Sequence, residues 1–290
     1  MFPSKSPTTY EEQIEKLRQR GCRIDDEEFC LDCLRRVNYY RLSAYFLPFK
    51  RKDGSYIKGT SFRDVFNIYE FDRKMRNVLL LALEEVEVNL RARLAHLHAI
   101  EYGSIGYMDQ SSYDEKHDHE KFLQDFQREI KHSKSSLVVQ HHNNKYGNQF
   151  PVWVAVEFFS FGMLSRFFSD LPLVFRTKAA HEIFDCSPGE AQSWLLCCTK
   201  LRNACAHYGR LYYGLFSSIP KAIEPPKSSD KYISRRLFLQ ILALRNLYPS
   251  DEKWNNEVAN PIAALMTKYE ASIKMWHIGF PADWEDKMRR

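Results

Sequence analysis

The residues of this chain with the clearest chemical potential are Arg202, Asn203 and His207, in the run Arg202-Asn203-Ala204-Cys205-Ala206-His207. An imidazole titrates near neutral pH and can take or give a proton, and a guanidinium stabilises charge that develops on a phosphate. These groups suffice for cleaving RNA without a metal ion. A Cys205–His207 nucleophile and base pair is the alternative, but helical periodicity places Cys205 with the core.

The spacing of this run on a helix separates its two charged groups. Asn203 and His207 are four residues apart and share a face, whereas Arg202 lies about 140° from His207 and beside the apolar stripe. Either the helix unwinds near Gly209, or two copies of the run meet across a two-fold axis with two arginines and two histidines around one phosphate. We therefore expect a homodimer.

A purely structural interpretation of the same run stays open. Arg202 could bond Glu84 or Glu87 on another helix, and His207 could act as a C-terminal helix cap, where a cation interacts favourably with the helix dipole. In that case the run stabilises the fold and carries no chemistry.

Charge is concentrated around this run. The chain carries a formal charge of +5, whereas Lys200–Tyr248 holds nine basic residues against two acidic ones, a net charge of +7. Bases that neutralise phosphates, interleaved with tyrosines that stack on nucleobases, favour binding of single-stranded RNA, although a solvated basic face is the alternative. The candidate RNA-binding residues are Arg41, Tyr208, Arg210, Tyr212, Arg235 and Arg236.

The elements that position these residues are predicted to be helices. Only 11 Gly and 12 Pro occur in 290 residues, too few for the turns of a sheet-rich fold. Apolar residues at helical spacing predict a helix of about 60 Å from Ser61 to about Ile100. Ser187, with Pro188 and Glu190 after it, predicts the start of the helix that ends in the run. These two helices should pack together in the core.

Further helices are predicted on the same grounds. Thr9 and Glu12 form a capping box for the first one, and a strongly apolar helix from Pro151 should run through Phe159 to Phe167. Another is expected from about Tyr232 to Leu247. The last should be capped by Asn260-Pro261 and reach about Met275.

Several classes of protein are disfavoured by composition. No apolar run approaches a membrane span, and the polar segment Met1–Gln13 does not resemble a secretory signal, so we expect a cytoplasmic protein without membrane contact. The seven cysteines suggest buried reduced thiols, and neither they nor the histidine-rich stretch 103–149 has the spacing of a metal site. No cofactor is expected, and residues 103–149 are predicted to form a solvent-exposed insertion.

Five segments in order along residues 5 to 215 resemble the abortive-infection phage-resistance proteins of the AbiD/AbiF type. The run itself resembles the R-x4-6-H motif of the HEPN superfamily. The resemblance implies that Arg202 and His207 are the catalytic pair and that Asn203 is the polar residue that follows the arginine in the motif. After His207, a second His and an Asn that many members have are replaced by Tyr208 and Tyr213. The segments are Thr9-Tyr10-Glu11-Glu12-Gln13, Asn38-Tyr39-Tyr40-Arg41-Leu42-Ser43-Ala44-Tyr45, Tyr69-Glu70-Phe71-Asp72-Arg73, Phe161-Gly162-Met163-Leu164-Ser165 and Leu201–His207.

The resemblance implies an all-α, multi-helix HEPN-like bundle and a metal-independent endoribonuclease of antiphage defence that cleaves single-stranded RNA. Some members are associated with a small noncoding RNA. A noncatalytic RNA-binding module that scaffolds such an RNA, or is regulated by it, is the alternative. The corresponding division is an N-terminal helical region over 1–60, a HEPN-like core over 61–215 with the polar insertion, and a C-terminal helical region over 216–290.

Overall fold

Helices account for most of the chain in the computed structural model, which describes residues 6–289. Residues 1–5, the start of the polar segment Met1–Gln13, lie outside the described residues. Between 6 and 289 the only β-pairing consists of two isolated bridges, so the expected all-α fold is confirmed. The α-helices are α1 (Tyr10–Gln19), α2 (Glu27–Arg36), α3 (Tyr39–Ser43), α4 (Phe62–Tyr102), α5 (His119–His132), α6 (Leu137–Tyr146), α7 (Val152–Ala155), α8 (Phe161–Asp170), α9 (Leu173–Phe184), α10 (Pro188–Ala206), α11 (Leu237–Leu247), α12 (Asp251–Trp254), α13 (Asn260–Lys268) and α14 (Trp284–Met288).

The two long helices expected from the sequence form the centre of the fold. α4 has 41 residues, which corresponds to about 60 Å. α10 packs against α4 and also against α8, α9 and α11. At the α8 crossing a Cβ on Gly162 would lie 3.5 Å from Thr199 Cγ2, an ordinary van der Waals contact, so this crossing does not depend on glycine. The prediction that these helices pack together in the core is confirmed.

Local capping explains why α1 and α10 begin where they do. The backbone N–H of Glu12 donates to Thr9 Oγ1, and the Thr9 N–H donates back to the Glu12 carboxylate. Ser187 and Glu190 make the same reciprocal pair at α10, with Pro188 in the first turn. Both sites satisfy backbone donors that a helix N-terminus otherwise leaves unpaired. The two predicted capping boxes are therefore confirmed.

Three predicted helices differ in the structure, and the one expected from about Tyr232 begins at Leu237 after a 3₁₀ turn. The helix from Pro151 ends at Ala155, a 3₁₀ turn follows, and Ser160 caps α8 by accepting from the Met163 N–H at 3.2 Å. Phe159 is extended, at φ −75° and ψ 127°, and its ring is buried in the core. This conformation interrupts the helix, and the Ser160 cap starts a new one. The predicted single helix is thus two helices with a break between them.

The last predicted helix begins earlier than expected. Ser250 caps α12, and a π-helical turn over Asn255–Ala259 leads directly into α13. Pro261 has no N–H to donate to the helical hydrogen-bond pattern. The π turn just before it is the place where this pattern changes, so the helix can continue through the proline. The Asn260-Pro261 start is therefore wrong, because these residues lie inside a continuous helical segment.

The stretch 103–149 is less exposed than its polarity suggests. It contains α5 and α6, and its rings pack on the core: Tyr107, Phe122 and Phe126 each contact the ring of Phe159. Their side chains are buried. α5 is amphipathic and turns Phe122 and Phe126 toward the core, so the prediction of a solvent-exposed insertion is wrong for this face of the stretch.

All seven cysteines are unpaired thiols and all except Cys186 are buried, as the composition suggested. Within the described residues, no helix combines the length and the apolar character needed to cross a bilayer.

His98 of α4 makes stability sensitive to acid. Its ring is fully buried beside Phe167 and Tyr102, and neither ring nitrogen has a hydrogen-bond partner among residues 6–289. Burial lowers the pKa of His98 from 6.5 to about 4. Below pH 6.5 the unfolded chain therefore binds a proton that the folded protein does not, and stability falls until about pH 4.

We expect His98→Leu to remove about 3 kcal/mol of the acid destabilisation between pH 7 and pH 4. The free energy of unfolding, measured in urea at several pH values, checks this. His277, whose pKa burial also lowers to about 4, should leave a residual slope of the same sign. His132→Leu, at an exposed histidine, is the control and should keep the wild-type pH profile; an unchanged profile in His98→Leu would contradict the assignment.

Candidate active site

The run Arg202–His207 forms the end of α10. The helix stops at Ala206, and His207 is the C-cap residue, whose N–H donates to the Asn203 carbonyl at 3.0 Å. Tyr208 follows with a left-handed φ of 57°. The helix thus remains regular through Arg202 and Asn203. It unwinds only after His207, so the unwinding does not bring Arg202 and His207 together.

Gly209 fixes the path of the chain after this helix. Its N–H donates to the Ala204 carbonyl at 2.6 Å. A Cβ at this position would lie 2.9 Å from the same oxygen, a distance that side chains do not tolerate against backbone. The close approach is therefore available to glycine alone, and it places the next residues against α4.

His207 and Asn203 are both exposed, one turn apart on one face of α10. An imidazole in this position is open to a substrate. The geometry fits a proton donor or acceptor at the surface.

Arg202 lies on a different face and is half-buried. It lines a cavity of about 320 Å³ together with Glu84, Glu87 and Arg91 of α4. Glu87 is paired with Arg91, which also donates to the carbonyls of Glu157 (3.0 Å) and Phe159 (2.7 Å). Within residues 6–289, neither a hydrogen bond nor an ion pair within 4.0 Å engages the Arg202 guanidinium.

The purely structural interpretation is therefore half met. Arg202 does lie beside Glu84 and Glu87, and His207 is the C-cap, but the ion pair that would make Arg202 structural does not form. His207 does not line the cavity of Arg202. A single chain keeps the two groups on separate faces, as the helical spacing predicts.

A buried carboxylate holds the segment that follows the run. Asp72 of α4 accepts hydrogen bonds from the Tyr45 hydroxyl (2.7 Å), from Arg76 Nη1 (2.6 Å) and from the backbone N–H groups of Leu211 (3.2 Å) and Tyr212 (2.7 Å). The side chains of Asp72 and Arg76 are only 1% and 4% exposed. Every one of these partners donates, so the arrangement suits the ionised carboxylate.

Arg76 extends this network to the end of α10, because its Nη1 also donates to the Gly209 carbonyl at 3.0 Å. Burial raises the pKa of Asp72, while the Tyr45 hydrogen bond and the Arg76 charge act in the opposite direction. The network links two of the five family-like segments to the chain that follows the fifth, and sequence reasoning missed its role. The available signal was a charged pair, Asp72 and Arg76, within the apolar stripe of α4.

Two of the predicted RNA-binding residues are buried. Tyr212 is fully buried, and its hydroxyl lies 2.7 Å from His277 Nδ1 and accepts from the Lys274 N–H at 2.9 Å. Arg236 is 4% exposed, pairs with Asp230 at 2.8 Å and lies over the ring of Tyr213. Neither side chain is open to the surface, because Tyr212 packs against Phe71 and His277 and Arg236 packs against Tyr213.

The other four candidates differ in access. Arg41 and Tyr208 are exposed, and Arg41 Nη1 donates to the Tyr208 carbonyl at 2.7 Å. Arg210 is half-buried, donates to the Ala44 carbonyl, and burial lowers its pKa, so it joins α3 to the segment after α10. Arg235 is half-buried and donates to the Phe216 carbonyl at 2.8 Å; its role toward RNA stays a prediction.

Cys205 is not a suitable nucleophile. It is 1% exposed, and burial raises the pKa of its thiol to about 12. The reactive thiolate is therefore scarce at neutral pH. Among the described residues, no group of three or more His, Cys, Asp or Glu side chains is arranged to hold a metal ion.

Residues 32–213 match the family model described as Abi-like protein. This range contains the network around Asp72 and the whole Arg202–His207 run. No curated protein and no solved structure matches the chain. Because the family model covers more than half of the sequence, the chain belongs to the Abi-like protein family.

Proposed function

We propose that this protein is a metal-independent endoribonuclease that cleaves single-stranded RNA in abortive-infection defence against phage. Membership of the Abi-like family supports the defence role. The arrangement at the end of α10 supports the chemistry. The observation that carries the proposal is an exposed His207 at the end of the helix that also carries a guanidinium, Arg202, with no protein anion as a partner within residues 6–289.

The reaction these groups can perform is transesterification within the RNA strand. His207 takes the proton of a 2′-hydroxyl, whose oxygen attacks the adjacent phosphorus while the bond to the 5′-oxygen breaks. The leaving oxygen receives a proton from a second imidazole or from water, so the products are a 2′,3′-cyclic phosphate and a 5′-hydroxyl. Arg202 stabilises the charge on the phosphate oxygens, and Asn203 can donate a hydrogen bond to them.

Incubation with mixed RNA in excess EDTA tests the proposal. We expect cleavage by the wild type and none above background by His207→Ala, with 2′,3′-cyclic phosphate ends on the fragments. RNA binding by both proteins without cleavage by either would overturn the proposal and favour a noncatalytic RNA-binding module.

The working unit in this proposal is a homodimer. Leu81 and Val88 are 52% and 60% exposed on α4, close to the cavity that Arg202 lines, and Leu196 is 46% exposed on the face of α10 that carries Asn203. Large apolar side chains around a polar site are typical of an interface. A two-fold contact there would bring Arg202 of one chain toward His207 of its partner.

Mixing two inactive variants tests the shared site. If each site takes arginine from one chain and histidine from the other, an equimolar mixture of Arg202→Ala and His207→Ala should regain about a quarter of wild-type activity. Half of the dimers are then mixed, and each of those has one complete site. Cleavage rates before and after subunit exchange measure this. A monomer that cleaves at the wild-type rate at micromolar concentration would refute the dimer.

A site built from all four side chains makes a different prediction. An equimolar mixture of wild type and His207→Ala should then keep about a quarter of the activity of the same total amount of wild type, instead of about half, because one inactive chain disables a dimer.

A further inference from the structure

A second cavity, of about 410 Å³, opens on the other side of Leu80, between α3, α4 and the end of α10. Three guanidinium groups line it, and its lining includes no carboxylate. The polar and aromatic side chains around it are Arg41, Tyr69, Arg73, Arg76, Asn77 and Tyr208. Its composition differs from that of the Arg202 cavity, which contains Glu84 and Glu87.

The arginines of this cavity retain donors for an anion. Arg76 is 4% exposed, and Nη1 alone among its nitrogens bonds to residues within 6–289. Arg41 likewise uses Nη1 alone in that range, for the Tyr208 carbonyl. Arg73 pairs with Glu70 but is 47% exposed. Arg73 and Arg76 are each paired with a carboxylate, Glu70 and Asp72, and the nitrogens that these pairs leave unused are the donors that can bind a phosphate group.

The aromatic side of the cavity suits a nucleobase. Tyr208 is 69% exposed and adopts a left-handed backbone conformation, φ 57°, which is strained for a non-glycine residue. Two hydrogen bonds hold the Tyr208 backbone in this conformation: Arg41 donates to the Tyr208 carbonyl, and the Tyr208 N–H donates to the Cys205 carbonyl at 3.1 Å. A strained, exposed ring beside a cationic cavity is positioned for stacking, and the exposed amide of Asn77 can bond the edge of a base.

We infer that this cavity binds one nucleotide of the RNA strand, with its phosphate on Arg41, Arg73 and Arg76 and its base against Tyr208. The inference rests on the proposed function and adds a subsite to it. A cavity of about 410 Å³ falls in the range of small-molecule sites, about 300–1,000 Å³, and exceeds what phosphate alone needs. Leu80 lines both cavities, so a strand can pass from this subsite to Arg202.

Binding of a short single-stranded RNA to the His207→Ala protein tests the subsite without cleavage. We expect Tyr208→Asn and Arg73→Gln each to weaken binding about tenfold. Asn tolerates the left-handed conformation of Tyr208, so the change removes the ring without new strain. Arg73→Gln should also reduce the slope of log Kd against log salt by about one, whereas Tyr208→Asn should leave the slope unchanged.

Matched variants separate the subsite from general effects. Tyr208→Phe keeps the ring and should bind as the wild type does. Tyr146→Asn removes another exposed tyrosine, and Arg36→Gln removes an arginine that is paired on a helix surface as Arg73 is. Both should leave affinity unchanged. A 2-aminopurine base in the RNA should lose its stacking quench in Tyr208→Asn.

The outcomes distinguish the subsite from the nuclease. Wild-type cleavage together with unchanged RNA affinity in Tyr208→Asn and Arg73→Gln would overturn the subsite and leave the nuclease standing. Loss of affinity in both variants, without cleavage by the wild type, would support the subsite and overturn the nuclease. Tight binding of free AMP or UMP that depends on Tyr208, without RNA binding, would overturn the RNA subsite in favour of a mononucleotide site.

Discussion

Replacing His207 with alanine is expected to slow RNA cleavage by about 100- to 10,000-fold, the range in which a general acid or base contributes. RNA binding should change little, because the phosphate contacts come from arginines. Single-turnover rates at saturating RNA, measured alongside binding to the same RNA, separate the two effects. The expectation follows from the exposed position of His207 at the end of α10.

The chain offers a close control for this variant. His132 is also exposed and is the last residue of a helix, α5, so His132→Ala removes a helix-terminal imidazole away from the run. It should retain the wild-type rate. If both variants cleave at similar rates, His207 has no chemical role and the run only ends a helix.

Asp72→Asn is expected to lower the free energy of unfolding by about 3–5 kcal/mol. The amide leaves the guanidinium of Arg76 buried without its counter-charge, and one amide oxygen must replace a carboxylate that accepts from Tyr45, Arg76, Leu211 and Tyr212. Denaturant unfolding measures the loss. Because the network fixes the chain after His207, cleavage should also fall under conditions where the variant remains folded.

Glu70→Gln provides the comparison on the same helix. Glu70 pairs with Arg73 at 2.8 Å, but its side chain is 25% exposed and that of Arg73 is 47% exposed. Solvent screening limits such a pair to about 0–1 kcal/mol. The double variant Asp72→Asn with Arg76→Met should recover part of the loss, since no unpaired charge remains. Equal losses in Asp72→Asn and Glu70→Gln would show that the buried network does not support the fold.

The sequence by itself determined the features that depend on neighbours a few residues away. The capping boxes at Thr9 and Ser187 involve partners three residues apart, and the apolar spacing of α4 is set by the helical repeat. For the same reason, the sequence placed Asn203 and His207 on one face and Arg202 on another. Local rules failed where two of them competed, at the Ser160 cap and at Pro261.

Only the tertiary structure decided which charged and aromatic side chains remain available. Tyr212 and Arg236 were plausible RNA contacts until packing buried them, whereas Tyr208 stays exposed. Asp72 meets a hydroxyl 27 residues away and a backbone N–H 140 residues away. No periodicity within a single helix encodes such pairings. They exist because burying a charge is favourable only when distant donors satisfy it, and the path of the whole chain determines which donors arrive.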